Sequence, residues 1–210
     1  LVNIVQDFIP TGRRNRPGHK LTPQYITIHD TANSNAGADA LAHAKYLKGD
    51  AAAKAPVSWH FTVDDKRVIQ HLPLDEVGWH AGDGGNGPGN RTSIGIEICE
   101  NSDGDRAMAE KNAAEVVAQL LKELGLSIDK VVQHNKWTGK NCPHILRGRS
   151  GGWENFLAQV KEFMQETKVS ESEIDLRAEN EHLVKLLNAA TRENAELKAK
   201  LAEINKLSSL

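Results

Sequence analysis

The sequence is short of the features that identify several classes of protein outright. It holds two cysteines, Cys99 and Cys142, too few for a scaffold framed by disulfides. Each therefore reads as a free thiol, a metal ligand or a small buried side chain. Neither charge sign is in excess: 26 Lys and Arg stand against 28 Asp and Glu, a formal net charge of −2. Without a basic surplus to neutralise phosphates, composition gives no nucleic-acid partner. No stretch approaches the ~18 apolar residues of a membrane helix, so no membrane partner is expected. The opening ten residues, from Leu1 to Pro10, have no basic start and a broken apolar run, unlike a secretory signal.

What is present is enough for a packed core: 39% of the residues are hydrophobic, and a length of 210 suits one domain, or one domain plus an appendage. The text changes character near Thr167. All four tryptophans, Trp59, Trp79, Trp137 and Trp153, precede it, and residues 168–210 contain no Trp, Tyr, Phe, Gly or Pro. This divides the chain into a globular part, 1–167, and a helical tail, 168–210. In the tail, Leu176, Asn180, Leu183, Leu187, Ala190, Asn194, Leu197, Leu201 and Ile204 follow at alternating steps of four and three. With Asn180, Leu187, Asn194 and Leu201 at a and Leu183, Ala190, Leu197 and Ile204 at d, about four heptads are in register. Asn at a with Leu at d favours a parallel two-stranded coil, and Glu193 at g faces Lys198 at e. Val184 and Leu186 widen the stripe, and a single amphipathic helix lying on the globular part is the alternative. The expectation is a homo-oligomer, a parallel dimer, joined through the tail.

In the globular part, residues 25–29, 59–63, 68–71, 93–98 and 131–134 read as strands, with a tight turn at Asp64-Asp65-Lys66. Residues 38–47, 111–124 and 155–166 read as helices, the second ended by Gly125. Strands interspersed with helices predict an α/β fold, a mixed central β-sheet flanked by helices, followed by the long C-terminal helix. The glycine-rich stretch from Gly82 to Asn90 reads as a surface loop, not a phosphate cradle, since no Lys-Ser/Thr follows and no helix is expected to open after it.

Nine histidines are present, and two sit at strand ends: His29 closes Ile26-Thr27-Ile28-His29 and His134 closes Val131-Val132-Gln133-His134. Strand ends in α/β domains are rigid and open to solvent, which suits functional groups. Cys142 follows eight residues after His134, and a loop of that length can fold back to bring both to one point. Two neutral imidazoles and one thiolate suit zinc and leave a tetrahedral position open, the arrangement of a catalytic site. Taken singly, such a histidine is more often a hydrogen-bonded surface residue than a ligand, and such a cysteine more often an inert thiol than a functional one; His144 is an alternative nitrogen. Glu97 lies in an apolar strand whose Ile94, Ile96 and Ile98 face the other side, so it is either a salt-bridged structural acid or a functional one. Lys140 lies two residues before Cys142 and would hold its ammonium near anything bound there.

Taken together, Ile26-Thr27-Ile28-His29, Ser58-Trp59-His60-Phe61, Trp79-His80-Ala81-Gly82, Ile94-Gly95-Ile96-Glu97 and His134-x5-Lys140-x-Cys142-Pro143 resemble, in order, the motifs of zinc-dependent N-acetylmuramoyl-L-alanine amidases of the phage and prophage endolysin type, related to peptidoglycan recognition proteins. The resemblance spans roughly Gln24 to Phe163. It implies one zinc ion per chain on His29, His134 and Cys142, with Glu97 as general base and Lys140 stabilising the tetrahedral intermediate. It further implies that His80, with Trp59 and His60, belongs to the substrate site; Trp59 stands where many relatives carry a catalytic Tyr, so its place is groove wall or core. The implied reaction is hydrolysis of the amide joining N-acetylmuramic acid to L-alanine in bacterial peptidoglycan, by an enzyme made in the cytoplasm without a signal peptide and acting on the wall after release. Alternatives are a mother-cell or autolytic amidase, a non-catalytic peptidoglycan-binding module, and an assembly protein defined by its tail.

Overall fold

The computed structural model describes residues 3–207, without the side chains of 166–175, 202–204 and 206–207. The chain divides into two compact units, Leu1–Met164 and Gln165–Leu210. In chain order the elements are β1 (Ile4–Gln6), β2 (Tyr25–Asp30), α1 (Ala40–Lys48), α2 (Asp50–Ala53), β3 (Phe61–Val63), β4 (Val68–Gln70), α3 (Pro88–Thr92), β5 (Ser93–Ile98), α4 (Arg106–Glu123), β6 (Val131–Gln133), α5 (Asn135–Thr138), α6 (His144–Gly148) and α7 (Gly152–Leu207). A single 3-10 turn, Ile128–Lys130, leads into β6. Among the described residues, no helix is long and apolar enough to cross a membrane.

The six strands form one sheet in the order β1-β4-β3-β5-β2-β6. Only β3 and β4 run antiparallel; β1/β4, β3/β5, β5/β2 and β2/β6 are parallel. The sheet is therefore mixed and helix-flanked, as the alternating text predicts. Period-two alternation decides its two faces. Ile26, Ile28, Ile94, Ile96 and Ile98 are buried in the main core with Ala113, Val116, Val117, Leu120 and Leu121 of α4 and Phe156 and Val160 of α7. The opposite face carries Thr27 paired with Gly95 and His29 paired with Glu97. On the α1 side, Ala40 and Ala44 pack with Ile69 and Cys99, and Leu47 packs with Ile9, Trp59 and Leu72.

Helix ends follow their local chemistry. Asp39 caps α1 by accepting the Ala42 N–H, and Asp105 caps α4 by accepting the Met108 N–H. Gly125 ends α4 at φ +64, with its N–H on the Lys122 carbonyl and the Leu126 N–H on the Leu121 carbonyl. That left-handed close costs a glycine little.

The structure corrects the sequence reading in three places. Strand β1 had no counterpart, because three residues at a half-exposed edge carry no periodicity. The glycine-rich stretch is not purely a surface loop: α3 opens inside it, and Gly89 and Asn90 are buried. The helix expected over 155–166 does not stop, since no Gly or Pro follows Gly152, and α7 continues to Leu207. Within the second unit, Leu176, Leu183, Leu187, Leu197 and Leu201 are each more than half exposed; the side chain of Ile204 lies outside the described residues.

Burial of one polar side chain in the sheet has a consequence for stability. His60 is fully buried; its Nδ1 accepts the Gly95 N–H at 3.0 Å and its Nε2 donates to the Glu76 carbonyl at 2.9 Å. Both partners fix a neutral ring, and desolvation lowers its pKa to about 4. The unfolded chain takes up this proton below pH 6.5 and the folded one only near 4, so stability falls as pH drops through that window. An isolated site of this kind accounts for about 3 kcal/mol when fully expressed. Calorimetry with chelator present throughout should show a melting temperature that falls between pH 6.5 and 4, and His60→Gln, whose amide can keep both hydrogen bonds, should flatten that slope; an unchanged slope would remove His60 as a cause.

Candidate metal centre and catalytic site

The site lies where β2, β5 and β6 end side by side, the carboxyl edge of parallel strands at which α/β sheets commonly bind ligands. His29 is the fifth residue of β2, Glu97 stands beside it in β5, and His134 follows the last residue of β6. Two backbone hydrogen bonds bring the third sequence-distant group in. The His134 N–H donates to the Ile28 carbonyl at 3.2 Å, locking β6 beside β2, and the Asn135 N–H donates to the Cys142 carbonyl at 3.1 Å, closing the loop between them. The Asn135 side chain adds a bond from Nδ2 to the Lys140 carbonyl at 3.0 Å. The expected fold-back over eight residues is thus built from α5 and one main-chain bond.

His29, His134 and Cys142 are all buried, and one donor atom from each lies within 4.8 Å of the others. The Cys142 Sγ is 3.7 Å from His29 Nδ1. Zinc–sulfur and zinc–nitrogen bonds of ~2.3 and ~2.0 Å at a tetrahedral angle place such atoms about 3.5 Å apart. The fit to a metal rests on a further observation: His134 Nε2 is 2.7 Å from the Ala81 carbonyl and so carries the proton, while its Nδ1 is buried without a partner. A buried lone pair with nothing to accept is costly unless a cation takes it. Electrostatics agree. Burial holds His29 well below the usual histidine range, helped by His80, His134 and Lys140, and it lowers His134 as well. The Cys142 thiol is pushed up to about 12, chiefly by burial and then by Glu97. Two neutral imidazoles are ready as ligands, and the thiol needs a cation to give up its proton. Two nitrogens and a thiolate are the donor set of zinc.

Glu97 retains 13% side-chain exposure, and its Oε1 lies 3.9 Å from His29 Nδ1. Its Oε2 is buried without a partner. Burial, reinforced by Asp30, pushes its pKa up to about 8, against the pull of Lys140. Lys140 is itself exposed, at the rim, and its charge acts on His29, His134, Glu97 and Cys142 alike. His29, His134, Cys142 and Glu97 are therefore brought together, with Lys140 within electrostatic reach of them.

The three residues assigned to substrate contact are placed differently. Trp59 is core, 7% exposed, with its indole N–H on Thr62 Oγ1 at 2.7 Å. His60 is sealed in the sheet as described, because the chain pairs there with β5 and leaves its ring no outlet. His80 is 8% exposed, and its Nδ1 lies 3.0 Å from His29 Nε2, behind the His29 ring. His144 points to Asp30 and Glu100, at 3.4 and 3.3 Å, and is not one of the three donors. Sequence reasoning overlooked Asp30. Its side chain is fully buried, accepting from Arg106 Nη2 at 2.5 Å and from the Ile145 N–H at 2.7 Å, which ties α4 and α6 to the end of β2. The signal was available: an acid directly after His29 in an apolar strand.

Comparison with known proteins gives consistent results. The family model described as N-acetylmuramoyl-L-alanine amidase matches residues 19–145. The chain is 56% identical over 160 residues to the N-acetylmuramoyl-L-alanine amidase XlyA of Bacillus subtilis (strain 168), covering 76% of this chain and 52% of XlyA. It is 53% identical over 157 residues to CwlH of the same organism, an N-acetylmuramoyl-L-alanine amidase by name, covering 75% of this chain and 60% of CwlH. The chain thus spans about half the length of the curated relatives it matches. The solved structure of the catalytic domain of XlyA superposes with a TM-score of 0.71 at 56% identity, covering 76% of this chain and 99% of that domain.

If the three donors act as one centre, removing any of them empties it. Metal analysis of purified Cys142→Ala and His134→Ala is expected to show zinc falling from near one per chain to background, with the far-ultraviolet circular dichroism unchanged. Retention of full zinc by either variant would break the assignment.

Proposed function

The chain belongs to the N-acetylmuramoyl-L-alanine amidase family, and from that premise we propose that it hydrolyses the amide between N-acetylmuramic acid and the L-alanine of the peptidoglycan stem, with one zinc ion per chain. The observation that carries this reading is the convergence of His29, His134 and Cys142 beside Glu97 at the carboxyl edge of the sheet. The site of action is the bacterial cell wall, and an endolysin role is supported by the 55% identity to a structure described as a mutant endolysin from Bacillus subtilis.

His29, His134 and Cys142 would hold the zinc ion, which would supply Lewis acidity toward a water and the scissile carbonyl. The remaining work falls to the chain. Glu97, with one carboxyl oxygen free of partners, takes the proton of the attacking water and returns it to the leaving amine. Its desolvation makes it a stronger base than a carboxylate in water. Lys140 at the rim lends its ammonium to the negative charge growing on the carbonyl oxygen. The buried surroundings of His29 and Cys142 exclude competing water from the ligands. The His134 lone pair, buried without a partner, argues against a metal-free module.

Digestion of purified walls tests bond and class together. The expected products carry new L-alanine amines without new reducing sugars, and chelator abolishes their formation; new reducing ends would replace the reading with a glycosidase. Lys140→Ala should lose ~10²–10³ in turnover and Glu97→Gln ~10²–10⁴, each with zinc content intact. Near-normal turnover of either folded variant refutes its assigned role.

The tail supports a second proposal, self-association into a parallel dimer. Leu183, Leu187, Leu197 and Leu201 at heptad a and d positions are exposed, Asn194 sits at a, and Glu193 is placed to pair with Lys198 of another copy. Linked sites would raise avidity for a repetitive polymer. Sedimentation of the full chain should report a dimer, and Leu187→Lys with Leu197→Lys should return it to a monomer. A monomeric wild-type chain ends the proposal.

A further inference from the structure

The connection between β4 and β5 takes no part in the reaction above, yet it touches both metal-site imidazoles. Asn90, 2% exposed, receives on its Oδ1 the N–H groups of His80 at 2.9 Å and Ala81 at 2.8 Å, and its Nδ2 donates to the Gly84 carbonyl at 3.1 Å. The Asp83 carboxylate in turn accepts the N–H of Gly89 at 2.6 Å and of Asn90 at 3.3 Å. The glycine-rich stretch is thereby closed on itself around one amide side chain. From that clamp two groups reach the site: the Ala81 carbonyl on His134 Nε2 and the His80 ring on His29 Nε2.

The His80 ring reads out a definite proton arrangement. Its Nε2 faces the Ser93 carbonyl at 3.2 Å. A carbonyl only accepts, so Nε2 carries the proton and Nδ1 presents a lone pair. His29 Nε2, 3.0 Å away, is then the donor, and the lone pair of His29 is on Nδ1, the atom facing Cys142. Space for the ring is made by Gly95, where a Cβ would stand 2.6 Å from His80 Cγ. We propose that His80, clamped through Asn90, is a positioning residue that fixes His29 as its Nε2–H tautomer and aims Nδ1 at the metal. Neutral hydrogen-bond partners of this kind set ligand orientation in metal sites, and losing one typically weakens metal binding 10–100-fold.

The inference rests on reading the three donors as a metal centre, and two readouts keep the two apart. Nitrogen-15 spectra of the metal-free full-length chain report the tautomer of His29 directly. The wild type is expected to show the Nε2–H form and His80→Ala a mixture with the Nδ1–H form. Zinc competition against a chromophoric chelator should show affinity about 10–100-fold weaker in His80→Ala and in Asn90→Ala. His80→Gln, whose amide can accept from His29 and donate to Ser93, should recover most of it, with amide spectra confirming that all variants are folded. An Nε2–H tautomer and unchanged zinc affinity in folded His80→Ala would overturn the proposal, as would a failure of His80→Gln to improve on His80→Ala. A wild type that binds no zinc would defeat the metal reading instead, and the tautomer spectra alone would then decide the role of His80.

Discussion

For residues 29, 134 and 142 to hold the proposed zinc ion, their three donor atoms have to meet with lone pairs free and no proton between them, and the backbone around them serves that meeting. Zinc–ligand bonds of ~2.0–2.3 Å leave sub-ångström tolerance, which loops held only by side chains would not keep. The chain meets it with main-chain bonds. His134 is registered against Ile28 by its own N–H, Cys142 is registered against Asn135 by its carbonyl, and His29 stands within a strand paired on both sides. The tolerance of the centre is thus inherited from the parallel ladder, the stiffest part of the fold.

Beneath the centre lies a second requirement, that buried charge be paired. Asp30, beside His29, is matched by Arg106, which also reaches Glu110, and Glu110 is matched by Arg149. This chain of ion pairs joins β2 to α4 and to the segment before α7. It lets an acid sit directly behind the site and add to the field that raises Glu97. The histidines solve the same problem by staying neutral. Burial, before any neighbour, keeps the rings of His29, His60 and His80 uncharged, so the low-dielectric interior that would reject a cation accommodates them.

The parts of this arrangement differ in how far one-dimensional text could reveal them. Alternation in Ser93–Ile98 put Glu97 on the face opposite Ile94, Ile96 and Ile98, and a period of two cannot be read otherwise once one face is apolar. Strand-end placement made His29 and His134 candidates. By contrast, Trp59 and His60 carried the same kind of local signal as His29, since an apolar strand with aromatic and polar residues looks alike whether its ring points to solvent or to core. Strand β1 was invisible because three half-exposed residues hold no pattern. The contacts of Asn90 and Ala81 were invisible too, because Ala81 uses a backbone carbonyl that every residue possesses and Asn90 lies in a glycine-rich stretch with no periodicity to place its side chain.

The sequence by itself determined the fold class and the family of the first unit, because each depends on periodicity or on ordered motifs that survive projection onto a line. Only the tertiary structure decided that His80 backs His29, that His60 is sealed in the sheet, and that His134 keeps Nδ1 free while Nε2 is spent on Ala81. The physical reason is that the direction of a side chain, and hence which nitrogen carries a proton, is set by partners more than fifty residues away along the chain in two of these cases and thirty-five in the third.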